Sequence, residues 1–205
     1  MSVGEVADLL VVCTGNIARS PFAASLLEHE ARRRLGDDGP VRVHSAGVHG
    51  LEGQSAVEEM RREAAGRGLD LERHRGTATT SRVVEGADLI ITMTETQRRR
   101  VTELAPVART RTFTLKELAR LTERCDEVPS DLPPRERLRR LAEAAHRARP
   151  QLPPPAGAED IADPYGGTRD GYRRCAAEIE QLVRRVSPQL FGDGRERSRP
   201  EQPGE

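Results

Sequence analysis

The sequence predicts an α/β protein with a four-stranded, mostly parallel twisted sheet and helices on both faces. Short apolar segments alternate with longer segments in which apolar residues recur every three or four positions. Strands that are separated by helices need crossover connections, and crossovers place neighbouring strands parallel. With 205 residues, the chain is long enough to bury one core.

Each predicted element has its own signal. Strands are predicted where short apolar or β-branched runs are bounded by turn residues, at about residues 7–12, 41–45, 87–93 and 109–112. Helices are predicted where apolar residues share a face, at about residues 18–35, 54–67, 81–86, 95–105, 115–121 and 169–186. The last helix has the clearest pattern, because one stripe joins Tyr172, Cys175, Ala176, Ile179, Leu182, Val183 and Val186.

This alternation predicts one domain over residues 1–187, and two segments differ from it in composition. Residues 123–158 are rich in proline and arginine and are predicted to be an insertion around a charged helical stretch, Pro134 to Arg149. Residues 188–205 are rich in glycine, proline and charge, which predicts a disordered tail.

Composition excludes several classes of function. The 33 basic and 33 acidic residues balance, aromatic residues make up 2 % of the chain and tryptophan is absent, so neither nucleic acid nor an anionic membrane is an expected partner. No apolar run approaches a membrane span, and three cysteines without tight spacing are typical of a reduced cytoplasmic protein. No Cys/His cluster has metal-ligand spacing, so we predict neither a metal nor a cofactor.

The most informative segment is residues 9–21, LLVVCTGNIARSP. An apolar strand ends at Cys13, and Arg19, Ser20 and Pro21 suit the first turn of a helix. A loop that leads into a helix N-terminus directs free N–H groups at one point, which favours an anion and also a thiolate. This predicts that Cys13 attacks a phosphate held by loop amides and by the planar fork of Arg19. The alternative is a buried cysteine followed by an ordinary helix cap.

The residues between them are the predicted binding loop. Gly15 allows close backbone approach to an anion, and Asn16 tolerates a left-handed conformation and ties the loop together. The candidate phosphate-binding residues are Thr14, Gly15, Asn16, Ile17, Ala18 and Ser20.

The segment from Val12 to Pro21 closely resembles the phosphate-binding loop of the low-molecular-weight protein tyrosine phosphatases. Far downstream, Asp163-Pro164-Tyr165-Gly166 resembles the loop that carries the general acid of that family. The resemblance spans roughly residues 6–187, apart from the insertion. It implies the fold of the family and metal-independent hydrolysis through a phosphocysteine intermediate.

The resemblance also implies individual roles. Asp163 would protonate the leaving group and then activate water, with Asp160 as the alternative acid. The Ser20 hydroxyl would donate to the sulfur of Cys13, its alternative role being a helix cap. Tyr165 would form one wall for an aromatic substrate.

Two further positions differ from many members of this family. Leu51, in the loop after the second strand, stands where many members carry an aromatic residue and is the other expected wall. Ala18 stands where many members have a second loop cysteine, so Cys13 lacks that disulfide partner.

Phosphotyrosine in proteins is the expected substrate, with three alternatives. Related protein arginine phosphatases tend to have threonine where this chain has Ile17, which favours phosphotyrosine. Phosphoarginine or a small phosphoester is the second expectation, because Leu51 gives a thin wall for an aromatic substrate. A third is a phosphate-binding module whose pocket is covered by the insertion. Arsenate reductases share the loop but need a further cysteine pair, and Cys125 and Cys175 are too far apart in sequence to suggest one.

Overall fold

The computed structural model describes residues 6–37, 39–125, 128–129, 131–154 and 159–193. The described residues form a sheet of four strands, β1 (Ala7–Cys13), β2 (Val41–Gly47), β3 (Leu89–Thr92) and β4 (Thr112–Thr114). Their order is β2-β1-β3-β4, and every neighbouring pair is parallel. The predicted sheet is therefore confirmed, and its carboxyl ends meet where Cys13 pairs with Gly47 and Val12 with Thr92.

Helices cover both faces of this sheet, because alternate side chains of the fully buried strand β1 serve two cores. Leu9 and Val11 pack with one set of helices, and Leu10 and Val12 with the other. The first set comprises α1 (Arg19–Leu35), α2 (Glu58–Ala65), α5 (Leu115–Thr122), α6 (Pro134–Ala148) and α7 (Arg169–Phe191). The second set comprises α3 (Ser81–Gly86) and α4 (Glu95–Leu104).

Two predicted boundaries are wrong, each for a local reason. Residues 54–57 are not helical, because their backbone serves the loops instead: Val57 N–H donates to the carbonyl of Ile17 at 2.8 Å. The segment Pro106–Arg111 is a 3-10 helix, because Pro106 fixes the helical φ of its first turn. Strand β4 consequently begins at Thr112 instead of 109.

The prediction of a disordered tail from residue 188 is also wrong for its first residues. Helix α7 continues through Pro188 to Phe191, and both Leu190 and Phe191 are buried. Burial of these two side chains offsets the hydrogen bond that Pro188 cannot donate within the helix. Residues 194–205 lie outside the described part of the chain.

Helix α6 belongs to the main core, although its sequence suggested an insertion. Leu138 and Leu141 are fully buried in the same core as α7 and β1. The buried carboxylate of Asp88, immediately before β3, accepts from Arg135 Nε at 3.0 Å and Arg139 Nε at 2.8 Å. These ion pairs hold α6 at the amino end of the sheet, opposite Cys13, so this helix does not cover the predicted pocket.

Candidate active site

Cys13 is the last residue of β1 and is 2 % exposed. The buried Ser20 hydroxyl donates to its Sγ at 3.0 Å, as the predicted role of Ser20 requires. Ser20 is not the helix cap: α1 begins at Arg19, and its N-cap, Ala18, makes no side-chain capping bond. The first turn of α1 therefore directs both the Ser20 hydroxyl and the positive end of the helix dipole at the sulfur.

The loop after Cys13 is held by its carbonyl groups. The carbonyls of Cys13, Thr14 and Gly15 accept from backbone N–H groups of residues 48, 49 and 51 at 2.9–3.0 Å. Within the described part of the chain, the N–H groups of residues 14–18 have no acceptor. Free amides that surround one point suit an anion, which is the role that the sequence predicts for this loop.

Asn16 fixes the shape of this loop, with a left-handed φ of 56°. Its Nδ2 donates to Ser20 Oγ at 2.9 Å and to Ser45 Oγ at 2.8 Å, while its Oδ1 accepts from Thr77 N–H at 3.0 Å. His74 Nε2 donates to its carbonyl at 2.6 Å. Burial holds the pKa of His74 below its usual value, so a neutral imidazole makes this bond. Sequence reasoning did not find Ser45, Thr77 or His74.

Glycine is required beside the loop, at position 47, whereas position 15 within the loop has room for a Cβ. A Cβ on Gly47 would lie 2.5 Å from the carbonyl oxygen of Thr14 and 2.9 Å from the backbone N of Asn16. A Cβ on Gly15 would meet the side chains of Ile17 and Leu51, each at 3.5 Å. Ile17, which is 6 % exposed, and Leu51, which is 36 % exposed, therefore form one apolar rim beside Gly15.

Arg19 is 3 % exposed and points into the site from the start of α1. Its Nη1 donates to the Ile161 carbonyl at 3.0 Å, and its Nη2 contacts Thr14 Oγ1 at 3.3 Å and the carboxylate of Asp163. Its Nε is buried and has no partner among the described residues. A phosphate oxygen is the acceptor that this N–H and the loop amides suit.

The two candidate acids, Asp160 and Asp163, lie in one loop but have different partners. The backbone of this loop is fixed because Ile161 N–H donates to the Met93 carbonyl at 2.8 Å. Asp160 Oδ1 accepts from Glu95 N–H at the first turn of α4 at 2.8 Å, so this carboxylate serves the helix. The Asp163 side chain is 45 % exposed and reaches Arg19. The structure thus brings Asp163, rather than Asp160, to the phosphate-binding loop.

A cleft of about 390 Å³ opens beside Arg19. It is lined by Thr14, Arg19, Val48, His49, Thr94, Thr96, Gln97, Arg100, Asp160, Ile161, Ala162 and Asp163. The two expected substrate walls, Leu51 and Tyr165, do not line this cleft, and their side chains are 36 % and 63 % exposed. The backbone N–H of Leu51 donates to the Gly15 carbonyl at 3.0 Å, and the backbone N–H of Tyr165 donates to Asp163 Oδ1 at 3.2 Å. Sequence reasoning missed Gln97 and Arg100, which helix α4 supplies.

Within the described residues, no group of three or more His, Cys, Asp or Glu side chains is arranged to hold a metal ion. The same residues include no helix that is long and apolar enough to cross a membrane.

Oxidation of Cys13 gives a prediction of its own. Ala18 supplies no loop thiol, and burial raises the pKa of Cys175 to about 12, which keeps that cysteine a poorly nucleophilic thiol. Peroxide should therefore take Cys13 past sulfenic acid, and dithiothreitol should restore little activity. In the Ala18→Cys variant, which supplies a loop thiol, dithiothreitol should restore most of the activity. Full thiol rescue of the unmodified protein, measured as turnover after treatment, would contradict this prediction.

A strand-end thiol, free loop amides, a buried arginine and a carboxylate on a separate loop together define a site for cysteine-dependent phosphoryl transfer. The family model for low molecular weight phosphotyrosine protein phosphatase matches residues 8–131. The chain belongs to this family, as its two sequence motifs predicted.

Individual relatives fall into two groups. The low molecular weight protein-tyrosine-phosphatase Etp of Escherichia coli (strain K12) is 42% identical over 106 residues, which are 52% of this chain and 67% of that protein. The protein-arginine-phosphatase of Geobacillus stearothermophilus is 29% identical over 182 residues, which are 89% of this chain and 95% of that protein.

Solved structures confirm the predicted fold. A YwlE mutant from Bacillus subtilis is 27% identical, with a TM-score of 0.65 over 90% of this chain and 98% of that one. The tyrosine phosphatase Wzb from Escherichia coli K30, in complex with sulphate, is 25% identical, with a TM-score of 0.64 over 89% and 96% of the two chains.

Proposed function

We propose that this protein is a cytoplasmic phosphatase that hydrolyses phosphotyrosine in proteins through a phosphocysteine at residue 13. The observation that carries the proposal is the pairing at Cys13: the Ser20 hydroxyl lies 3.0 Å from its sulfur, and the loop amides beside it are free. A buried thiol in ordinary packing needs neither feature.

The reaction proceeds in two displacements at phosphorus. In the first, the Cys13 thiolate attacks, the P–O bond to the substrate breaks, and Asp163 gives its proton to the departing oxygen. In the second, Asp163 takes a proton from water, the water oxygen attacks phosphorus and the P–S bond breaks, which regenerates the thiolate and releases phosphate. Arg19 and the loop N–H groups stabilise the charge on the equatorial oxygens in both steps. Phosphate must displace the Asp163 carboxylate from Arg19 for the first step to begin.

The substrate side of the site supports an aryl phosphate. Ile17 and Leu51 lie outside the cleft beside Arg19 but place apolar side chains next to Gly15 of the loop, and apolar surface there suits a phenyl ring better than the cationic guanidinium of phosphoarginine. Phosphoarginine in proteins is the second candidate, because two relatives named protein-arginine-phosphatase align with 89% and 92% of this chain. Residue 17 is the point at which the two candidates can be separated.

We expect Ile17→Thr to lower kcat/KM for a phosphotyrosyl peptide, relative to the matched phosphoarginyl peptide, by about tenfold. The substitution keeps the branched shape but replaces part of the apolar rim with a hydroxyl. Ile17→Val is the matched control, because it keeps an apolar side chain, and it should retain the ratio of the unmodified protein. The measurement is kcat/KM on both peptides for the three proteins.

The same assay decides among the alternative functions. A preference of the unmodified protein for phosphoarginine would overturn the phosphotyrosine assignment. Faster turnover of an aliphatic monoester than of either peptide would identify a small-molecule phosphatase. Binding of the phosphotyrosyl peptide without phosphate release would identify a binding module.

A further inference from the structure

Gln97, in the first turn of α4, is 3 % exposed, and its side chain both caps this helix and contacts Thr14. Its Oε1 accepts from the backbone N–H groups of Met93 and Thr94 at 3.0 and 3.1 Å, and its own N–H donates to Thr94 Oγ1 at 3.2 Å. This is a capping box. Its Nε2 donates across the site to Thr14 Oγ1 at 3.1 Å.

The orientation of the Gln97 amide is fixed by its partners. Backbone N–H groups can only donate, so the oxygen faces Met93 and Thr94, and the NH₂ group must face Thr14. A capping box does not need that NH₂ group, because the equivalent position in α5 is Glu117, which caps with Thr114. The amide nitrogen of Gln97 therefore serves the phosphate-binding loop and not the helix.

The Thr14 hydroxyl receives a second donor from the loop arginine. Arg19 Nη2 lies 3.3 Å from the same Oγ1. A hydroxyl has two lone pairs and one proton, so with both lone pairs engaged only the proton is left to make a bond. In the described part of the chain, no group accepts this hydroxyl proton, and Thr14 itself lines the cleft beside Arg19.

We propose that Gln97 is a positioning residue that turns the Thr14 hydroxyl proton toward the phosphoryl group of the substrate. Thr14 then adds one O–H donor to the N–H donors of the loop and of Arg19. This inference rests on the proposed phosphatase function, since it names a further contact in the same site. It assigns no step of bond breaking to either residue.

The test is Gln97→Glu. One glutamate oxygen still accepts from Met93 and Thr94, so the cap and the thermal midpoint should be retained. The other oxygen replaces the amide nitrogen, so the Thr14 hydroxyl donates to it and turns away from the cleft. We expect kcat/KM for an aryl phosphate to fall about tenfold, and the binding of inorganic phosphate, measured by titration calorimetry, to weaken by a similar factor.

Variants at Thr14 separate this account from an effect of the new charge. Thr14→Val should give the same tenfold losses, and Thr14→Ser, which keeps the hydroxyl, should stay close to the unmodified protein. In the Thr14→Val background, Gln97→Glu should cause little further loss, because the hydroxyl that it redirects is gone. Gln181→Glu, the same change on the exposed face of α7, is the matched control.

Two outcomes would overturn the proposal: unchanged kcat/KM and phosphate affinity in Gln97→Glu, or losses that multiply to about a hundredfold in the double variant. Failure of the proposed function gives a different result. The unmodified protein would then show no turnover, but the effect of the Thr14 and Gln97 variants on phosphate binding could still be measured.

Discussion

Replacement of Cys13 with serine should abolish phosphate release from an aryl phosphate, with a fall in rate of at least about a thousandfold. The Ser20 hydroxyl and the first turn of α1 are directed at the atom in this position, where the proposed nucleophile lies. A serine hydroxyl is far less acidic than a thiol, so the same surroundings leave it protonated and a poor nucleophile. The measurement is initial phosphate release by the two proteins at equal concentration.

The control for this experiment is Cys175→Ala. Cys175 is a buried thiol on α7 whose pKa is raised by burial, and it takes no part in the proposed reaction. The alanine variant should retain turnover. Substantial activity in Cys13→Ser, or loss of activity in a folded Cys175→Ala variant, would mean that the nucleophile has been placed on the wrong residue.

The second large effect is expected for Asp163→Asn. The amide cannot supply a proton, so kcat for phenyl phosphate, whose leaving group is poor, should fall about a hundredfold or more. The fall for p-nitrophenyl phosphate should be smaller, since its leaving group departs with little help. The measurement is kcat for a series of aryl phosphates in the variant and the unmodified protein.

Asp160→Asn is the matched comparison, because Asp160 is three residues away and carries the same carboxylate. Asparagine keeps an oxygen that can accept from Glu95 N–H, so this variant should lose little activity. An equal fall for good and poor leaving groups in Asp163→Asn would show that Asp163 acts through its ion pair with Arg19 and not as the acid.

The sequence predicted those parts of the site that are encoded locally. Cys13, Arg19 and Ser20 lie within eight residues, and the strand before them and the helix after them fix their relative positions. The parallel sheet followed from the same logic, because the helical crossovers determine its pairing. Asp163 was identified only through its motif, and its contact with Arg19 spans 144 positions in the chain.

The remaining parts of the site depend on tertiary contacts that no local pattern carries. His74 and Thr77 bind Asn16 from about sixty residues downstream, and Gln97 reaches Thr14 across 83 positions. Single polar residues so far away in the sequence form no motif that would identify them as part of the site. Gln97 had a partial signal, since Thr94 and Gln97 match a capping box, but that pattern predicts only a helix start.

Helix α6 and the end of α7 show how composition can conceal core residues. The arginines of α6 suggested a solvated insertion, yet its opposite face buries Leu138 and Leu141. After residue 187, the glycine, proline and charged residues suggested a disordered tail, but Leu190 and Phe191 at the end of α7 pack into the core. In both cases burial of an apolar face outweighed the local signal.

The most direct test of the account is the intact mass of the protein after rapid acid quench during turnover of an aryl phosphate. We expect a fraction of the protein to carry one phosphoryl group, mapped by peptide analysis to Cys13. With p-nitrophenyl phosphate, whose leaving group departs with little help, the fraction should be larger in Asp163→Asn, where water is activated poorly, and no phosphocysteine should form in Cys13→Ser. Turnover without an adduct, or an adduct on another residue, would contradict a phosphocysteine mechanism at this site.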